Sequence, residues 1–570
     1  MSSFVYNAGT YTEVEKDILT LEFGLFFDGT NNNKLHTDAR KLKKLKTSRQ
    51  TPAAQKELMR LNRTYDKRRQ EELQNIYDEN TESESSYESD HTNVARMFLH
   101  TEDKTYAIYI EGIGTKNEQT DSTQGYAYGR FGTGVVAKVK KGTEELAERI
   151  KKKFDDAIKG KNNKNHVVKS LDLTLDVFGF SRGAAAARHF LYQLTLLPQK
   201  HQIILPVSTP GTFNEVTVIR PKYGFLGEKL QEIGFHEDFI NKINIKVRFA
   251  GLYDTVASYD NSWRLIPNFS KGIKELHLDT LGNPQLIVHF TAMDECRKNF
   301  ALTRVKHANK IEKNLPGVHS DIGGSYDCDG IEPIEKCILG ENKASLKELE
   351  HLRQWFIDEG WYQDKEIKAY DSIWPVNNQL IGERHGPDSG PNSGTGLTGA
   401  YSYLILGWMC DYASFCIENK NIRYEDIVLY YDFTALDDSK KTLSQVKKFL
   451  EHNTFKALKE AQKQTMLPFP GLKIQRLLMR KEAALLSEHD TVKEWKLIGD
   501  KVTTEKNTDP ASPGVINMDG VTITAYQSDM LLKRLRNCFL HQSAHYKPSL
   551  FGLVHPHEPA PGRIRPVLPG

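Results

Sequence analysis

In Leu173-Thr-Leu-Asp-Val-Phe-Gly-Phe-Ser-Arg-Gly-Ala-Ala-Ala-Ala-Arg188 a β-branched and aromatic strand pattern turns abruptly into an alanine-rich helix pattern. The turn, Gly179-Phe180-Ser181-Arg182-Gly183, has the G-x-S-x-G spacing of a nucleophile elbow in a strand-to-helix context. A serine hydroxyl is a poor nucleophile unless a base takes its proton and the backbone presents it to the substrate. Flanking glycines allow close backbone approach, and the helix that follows turns its first N–H groups toward a developing oxyanion. Two readings stand on these residues alone. One is a serine hydrolase with Ser181 as nucleophile; the other is a glycine-bounded βα turn whose serine only caps a helix.

Working outward, Leu19–Phe27 alternates and ends at Asp28-Gly29-Thr30, and Thr105–Ile110 runs into Glu111-Gly112. Ile243–Leu252 ends near Asp254, and Leu286–Phe290 is a fifth strand pattern. Helical patterns between them, such as Glu144 to Ala157, predict an α/β fold with a mostly parallel sheet covered on both faces. Such sheets build their sites at the carboxyl ends of strands. A serine hydrolase of this class orders its partners Ser, acid, His. Asp254 stands just past a strand, and His319 lies in the glycine-rich loop Leu315–Gly324. Asp254 reads as the orienting acid or as a helix cap, and His319 as the base or as a solvated loop histidine. Asp321 is an alternative orienter or a brace for that loop. His541 and His545 are the fallback bases. For the oxyanion, Arg182 offers the N–H after the nucleophile, and Gly29 and Thr30 sit where the second donor belongs, unless Phe27–Thr30 is only a strand-ending turn.

The chain has 570 residues, 39% hydrophobic and 26% charged, which describes a globular protein with more than one domain or a large insertion-bearing one. A net charge of +3 does not suggest nucleic-acid binding. The sequence opens without an export-signal pattern, and its most apolar run, Ala400–Cys410, is too short to span a bilayer. Six cysteines lack paired metal-ligand spacing and require no disulfide framework. A strongly basic stretch over 34–70 followed by an acidic, serine-rich one to Asp90 reads as a solvated, mobile or helical insertion, or as a headgroup- or partner-docking surface. These features divide the chain into a catalytic module over 1–330 and a mainly helical region over 331–570 whose end packs back on the core. In that second region, Gly471–Leu486 has one apolar and one cationic side, suited to a membrane surface or to core packing.

Six blocks occur in order: Phe26–Asn32, Thr92–Arg96, Tyr109–Thr115, Gly179–Arg188, Gly251–Val256 and Pro316–Gly324. Together they resemble the α/β-hydrolase catalytic domain family that includes the first family of type VI secretion lipase effectors. The likeness spans about residues 19–330, with a weaker echo at Leu406–Met409. It implies an antibacterial phospholipase of the A type using Ser181, Asp254 and His319, without metal or organic cofactor. It further implies delivery by a spike protein into a rival cell's periplasm, membrane phospholipid as substrate, and neutralisation by an immunity lipoprotein. The competing expectations are a soluble cytoplasmic carboxylesterase and a non-catalytic secretion-associated binding module.

Overall fold

The computed structural model describes residues 18–47, 52–80, 86–117, 119, 133–159, 168–206, 213–257, 272–328, 335–340, 345–371, 378–384, 386, 397–417, 424–464, 516–518, 521–523, 525–545, 557–560 and 563–568. Its centre is a six-stranded sheet made of β1 (Ile18–Phe27), β2 (Ala107–Ile110), β3 (Ser170–Phe180), β4 (Ile243–Tyr253), β5 (Leu286–Ala292) and β6 (Lys310–Leu315). The spatial order is β2-β1-β3-β4-β5-β6 and every pairing is parallel. The order reverses between β1 and β3, so the crevice beyond their carboxyl ends is a topological switch point. This is the α/β architecture with a parallel sheet that the strand–helix alternation predicts.

Alternation along the strands sends side chains to two separate apolar layers. Phe23, Leu25 and Phe27 of β1 with Leu171, Leu173, Leu175 and Val177 of β3 enter one layer. Helices α5 (Val135–Lys159) and α6 (Arg182–Thr195) cover it. Phe26, Phe178 and Phe180 enter the other, beneath α4 (Asn93–Leu99) and the helix Tyr401–Ser414. The apolar run noted at Ala400–Cys410 is thus a buried core helix.

Two features depart from the sequence expectations, and a third chooses among the readings open to it. β6 went unrecognised because only Ile311 and Leu315 of Lys310–Leu315 are buried, so its polar edge masks the strand signal. The region after 330 also carries a three-stranded antiparallel sheet, Glu335–Gly340, Gln379–Arg384 and Ile367–Tyr370, beside its helices. The basic block takes its helical reading, with part of its charge turned inward. It forms helices α1 (Lys34–Thr47), α2 (Pro52–Thr64) and α3 (Lys67–Asn80), and Asp38, Arg40, Lys41 and Glu57 are buried there. Lys41 reaches Asp90 at 2.7 Å, and Arg40 reaches Asp327 at 3.3 Å, so opposite charges are compensated inside. The amphipathic pattern at 471–486 lies outside the described residues.

Candidate active site

Ser181 follows β3 and precedes α6 with φ 59° and ψ −128°. A non-glycine residue with positive φ is strained and persists only where the surroundings over-determine it. Here the Ser181 N–H donates to the Tyr253 carbonyl at 3.0 Å, and its carbonyl accepts from Ala184 and Val256. The elbow also needs Gly183. A Cβ there would stand 2.2 Å from the Asp28 carbonyl oxygen and 2.5 Å from that of Phe27, so this glycine lets α6 start against the end of β1.

Asp254 directly follows β4, with φ 41°, and His319 opens the short helix His319–Gly323 after β6. Their separation in sequence disappears in space: His319 Nδ1 lies 2.6 Å from Asp254 Oδ2. Ser181, Asp254 and His319 are all buried. The imidazole sits between Phe180, tilted at 4.6 Å, and Phe300, edge-on at 4.9 Å. Burial lowers the His319 pKa against the pull of Asp254, which favours the neutral, proton-accepting ring. Burial alone would raise the Asp254 carboxyl, but Arg565 and His319 outweigh it and hold it well below the usual carboxylate range.

Two neighbours of this pair escape a reading of the sequence. Arg565 grips Asp254 with a two-toothed fork, Nη1 to Oδ1 and Nη2 to Oδ2, both at 2.7 Å. Glu295 accepts the His319 backbone N–H at 3.2 Å and is itself bound by Arg297 and by Ser543. Burial opposes ionisation of Glu295, yet Arg297 draws its pKa down to about 2. Nothing in the spacing 254 to 565 announces the first contact. For Glu295, its place just past the end of β5 is the available signal.

The turn after β1 is a buried network of its own. Asp28 accepts from Thr92 Oγ1 at 2.6 Å, from the Tyr109 hydroxyl and from the Gly29 N–H at 2.7 Å. Burial raises the Asp28 pKa to about 6, against the lowering effect of those donors. The Gly29 amide is therefore turned onto Asp28, leaving the Thr30 amide as the donor of this turn with no partner among the described residues. The Arg182 side chain ties the turn to the elbow, Nε donating to Thr30 Oγ1 at 2.7 Å. Asn93 Nδ2 donates to the Ile322 carbonyl at 3.0 Å, and Arg96 Nη1 donates to Asn93 Oδ1 and Ser402 Oγ. The Thr92–Arg96 and Tyr109 blocks thus brace the turn after β1 and the helix that carries His319.

The remaining candidates pair elsewhere. Asp321 accepts from the Val318 N–H at 3.0 Å, and His541 Nδ1 lies 2.8 Å from its Oδ1, with the His541 ring stacked on Tyr326 at 3.6 Å. His545 stacks on His557 at 4.5 Å. Asp38, Glu57 and His91 place one ligand atom each within 4.8 Å of one another, but Arg60 bonds both carboxylates and Tyr65 bonds Asp38. That cluster is an ion-pair network more than a cation cage.

Residues 25–350 match the family described as the type VI secretion phospholipase effector Tle1-like catalytic domain. No curated protein matches the chain. Among solved structures it is similar to the Tle1 effector bound to the VgrG spike of a type VI secretion system, at 17% identity and TM-score 0.43, over 97% of this chain and 94% of that one. It is also similar to an uncharacterized protein from Pseudomonas aeruginosa, at 15% identity and TM-score 0.27, over 82% of this chain and 62% of that one. With its family match covering more than half its length, the chain belongs to the Tle1-like phospholipase effectors of type VI secretion.

Proposed function

We propose that the chain is a serine phospholipase of the A type, cleaving acyl esters of membrane glycerophospholipids with Ser181, His319 and Asp254. The observation that carries the reading is the convergence, at one edge of a parallel sheet, of a positive-φ serine elbow and a buried His–Asp pair at 2.6 Å, in a chain of this family. In the first step His319 Nε2 takes the Ser181 proton as the oxygen attacks the ester carbonyl. Asp254 holds the ring through Nδ1 and stabilises the imidazolium. The Arg182 and Thr30 amides receive the developing oxyanion, and the imidazolium then gives its proton to the leaving alcohol. Water repeats the sequence on the acyl-enzyme.

On the same reading the enzyme is an antibacterial toxin carried on a secretion spike, acting on phospholipid at the periplasmic face of a rival's membrane and restrained in siblings by an immunity lipoprotein. Purified protein and Ser181→Ala are to be incubated separately with mixed phospholipid vesicles and the products analysed. Free fatty acid and lysophospholipid from the wild type alone are expected, and the lysophospholipid isomer names the acyl position. Equal activity from Ser181→Ala removes Ser181 from the mechanism. Cleavage of short soluble esters without release from vesicles overturns the lipid assignment and leaves the triad.

A further inference from the structure

Residues 557–560 and 563–568 run along the segment that follows β5 and are stitched to it by backbone hydrogen bonds. Lys298 N donates to the Glu558 carbonyl, Ala560 N to that of Cys296, and Leu302 N to that of Pro566, at 2.8–2.9 Å. Val567 and Leu568 then pair in parallel with Leu302 and Thr303. The outer part of the strap is open, with Ile564 75% exposed and Val567 54%, while Ala560 is buried. Two of its large side chains turn inward: Arg563 Nη2 donates to the Leu339 carbonyl at 2.7 Å, and the Arg565 side chain is only 7% exposed. Beyond its fork on Asp254, Arg565 Nε donates to the Phe300 carbonyl at 2.7 Å, which fixes the guanidinium plane. The Asp254 carboxylate is thereby fully engaged, with Ala292 N on Oδ1 at 2.9 Å and His319 on Oδ2.

From this geometry we propose that Arg565 is a positioning residue for the catalytic acid, and that the strap must be seated for Ser181 to be activated. The inference rests on the serine-hydrolase reading. Arg565 has two separable effects. Its planar fork locks the carboxylate so that Oδ2 faces His319 Nδ1, which a point-charge cation does not reproduce. Its charge stands beside the pair and disfavours the imidazolium. The charged groups facing His319 are Asp254, Glu295 and Arg297, with Phe180 and Phe300 uncharged on its faces, and Arg565 stands on the far side of the Asp254 carboxylate it grips. Behind Asp254 stand His289 and Glu312, bonded to each other at 2.9 Å. Asp28, which titrates near 6, is untouched by changes at 565 and cancels in the comparison.

The test measures kcat/KM on a short-chain soluble ester from pH 5 to 9 for wild type, Arg565→Gln, Arg565→Lys and Ser181→Ala, with near-UV circular dichroism to establish folding. Arg565→Gln is expected to lose about ten- to a hundredfold, as for other outer supports of a site. Its acid limb should also move to higher pH, because the imidazole has lost a neighbouring cation. Arg565→Lys keeps the charge and loses the fork, so its rate falls while its limb stays. Wild-type rate and limb in a folded Arg565→Gln overturn the proposal. So does an equal loss in both variants with an unmoved limb, which describes a purely structural role. Should Arg565→Gln not fold, Arg565→Lys decides, and a wild-type rate in it sinks the positioning role. Activity in Ser181→Ala defeats the underlying reading instead, whatever the Arg565 variants do.

Discussion

Asp28 accepts three hydrogen bonds and still has a pKa near 6, because burial outweighs its donors. A carboxyl whose folded pKa lies above its unfolded value contributes stability that is whole below about pH 4 and is lost as pH rises through 6. The difference in unfolding free energy between wild type and Asp28→Asn should therefore shrink by on the order of 3 kcal/mol from pH 4 to 6.5. Urea unfolding across that range measures it; a pH-independent difference would contradict the buried-acid account. Gly183 makes an independent case at the same scale. Gly183→Ala forces a methyl against the Asp28 carbonyl, where backbone has nowhere to yield. It should cost about 1–3 kcal/mol and reduce hydrolysis by pushing the turn after β1 off the elbow, as read by thermal midpoint and turnover.

The charged helices α1–α3 show how an element's context reverses its sequence signal. A basic run is usually solvated, but here Asp90 is buried with Lys41 at 2.7 Å and Arg96 at 3.6 Å. Asp90→Asn removes the carboxylate charge shared by three buried cations, Arg40, Lys41 and Arg96, and should cost about 3–5 kcal/mol. Lys43, half-exposed beside Asp78, belongs to the ordinary surface class, and Lys43→Ala should change stability by less than about 1 kcal/mol. Denaturant midpoints of the two variants test the contrast. Equal small effects would mean the buried network is relaxed by water.

Across the whole molecule, the apolar layer under Phe26 and Phe178 continues without a break into Trp408, Tyr412, Phe449 and Phe539. Trp408 is fully buried and stacks on Phe455 at 4.3 Å. Trp408→Ala should cost about 3–5 kcal/mol. Because strands before residue 330 share that layer with helices after it, the loss should lower one calorimetric transition as a whole. Two transitions, with one unmoved, would show that the halves fold separately. The strap adds a second long-range tie, since Arg565 reaches Asp254 across most of the chain.

What the sequence determined is local or periodic. Five strands were legible as short apolar and aromatic runs, three of them ending at glycine-marked turns (Gly29, Gly112 and Gly179), and the elbow at Ser181 was legible because it is written in five consecutive residues. The position of Asp254 just past a strand end followed from parallelism, which puts every carboxyl end on one edge, whereas His319 was legible only as a histidine in a glycine-rich loop because the polar β6 before it hid its strand signal. The tertiary structure alone decided what compensates buried charge. That Arg565 lies on Asp254, that Asp28 claims the Gly29 amide, and that α1 turns Asp38 and Lys41 inward are facts of long-range packing. A carboxylate accepts any cation the fold delivers, and spacing along the chain carries no record of which one arrives.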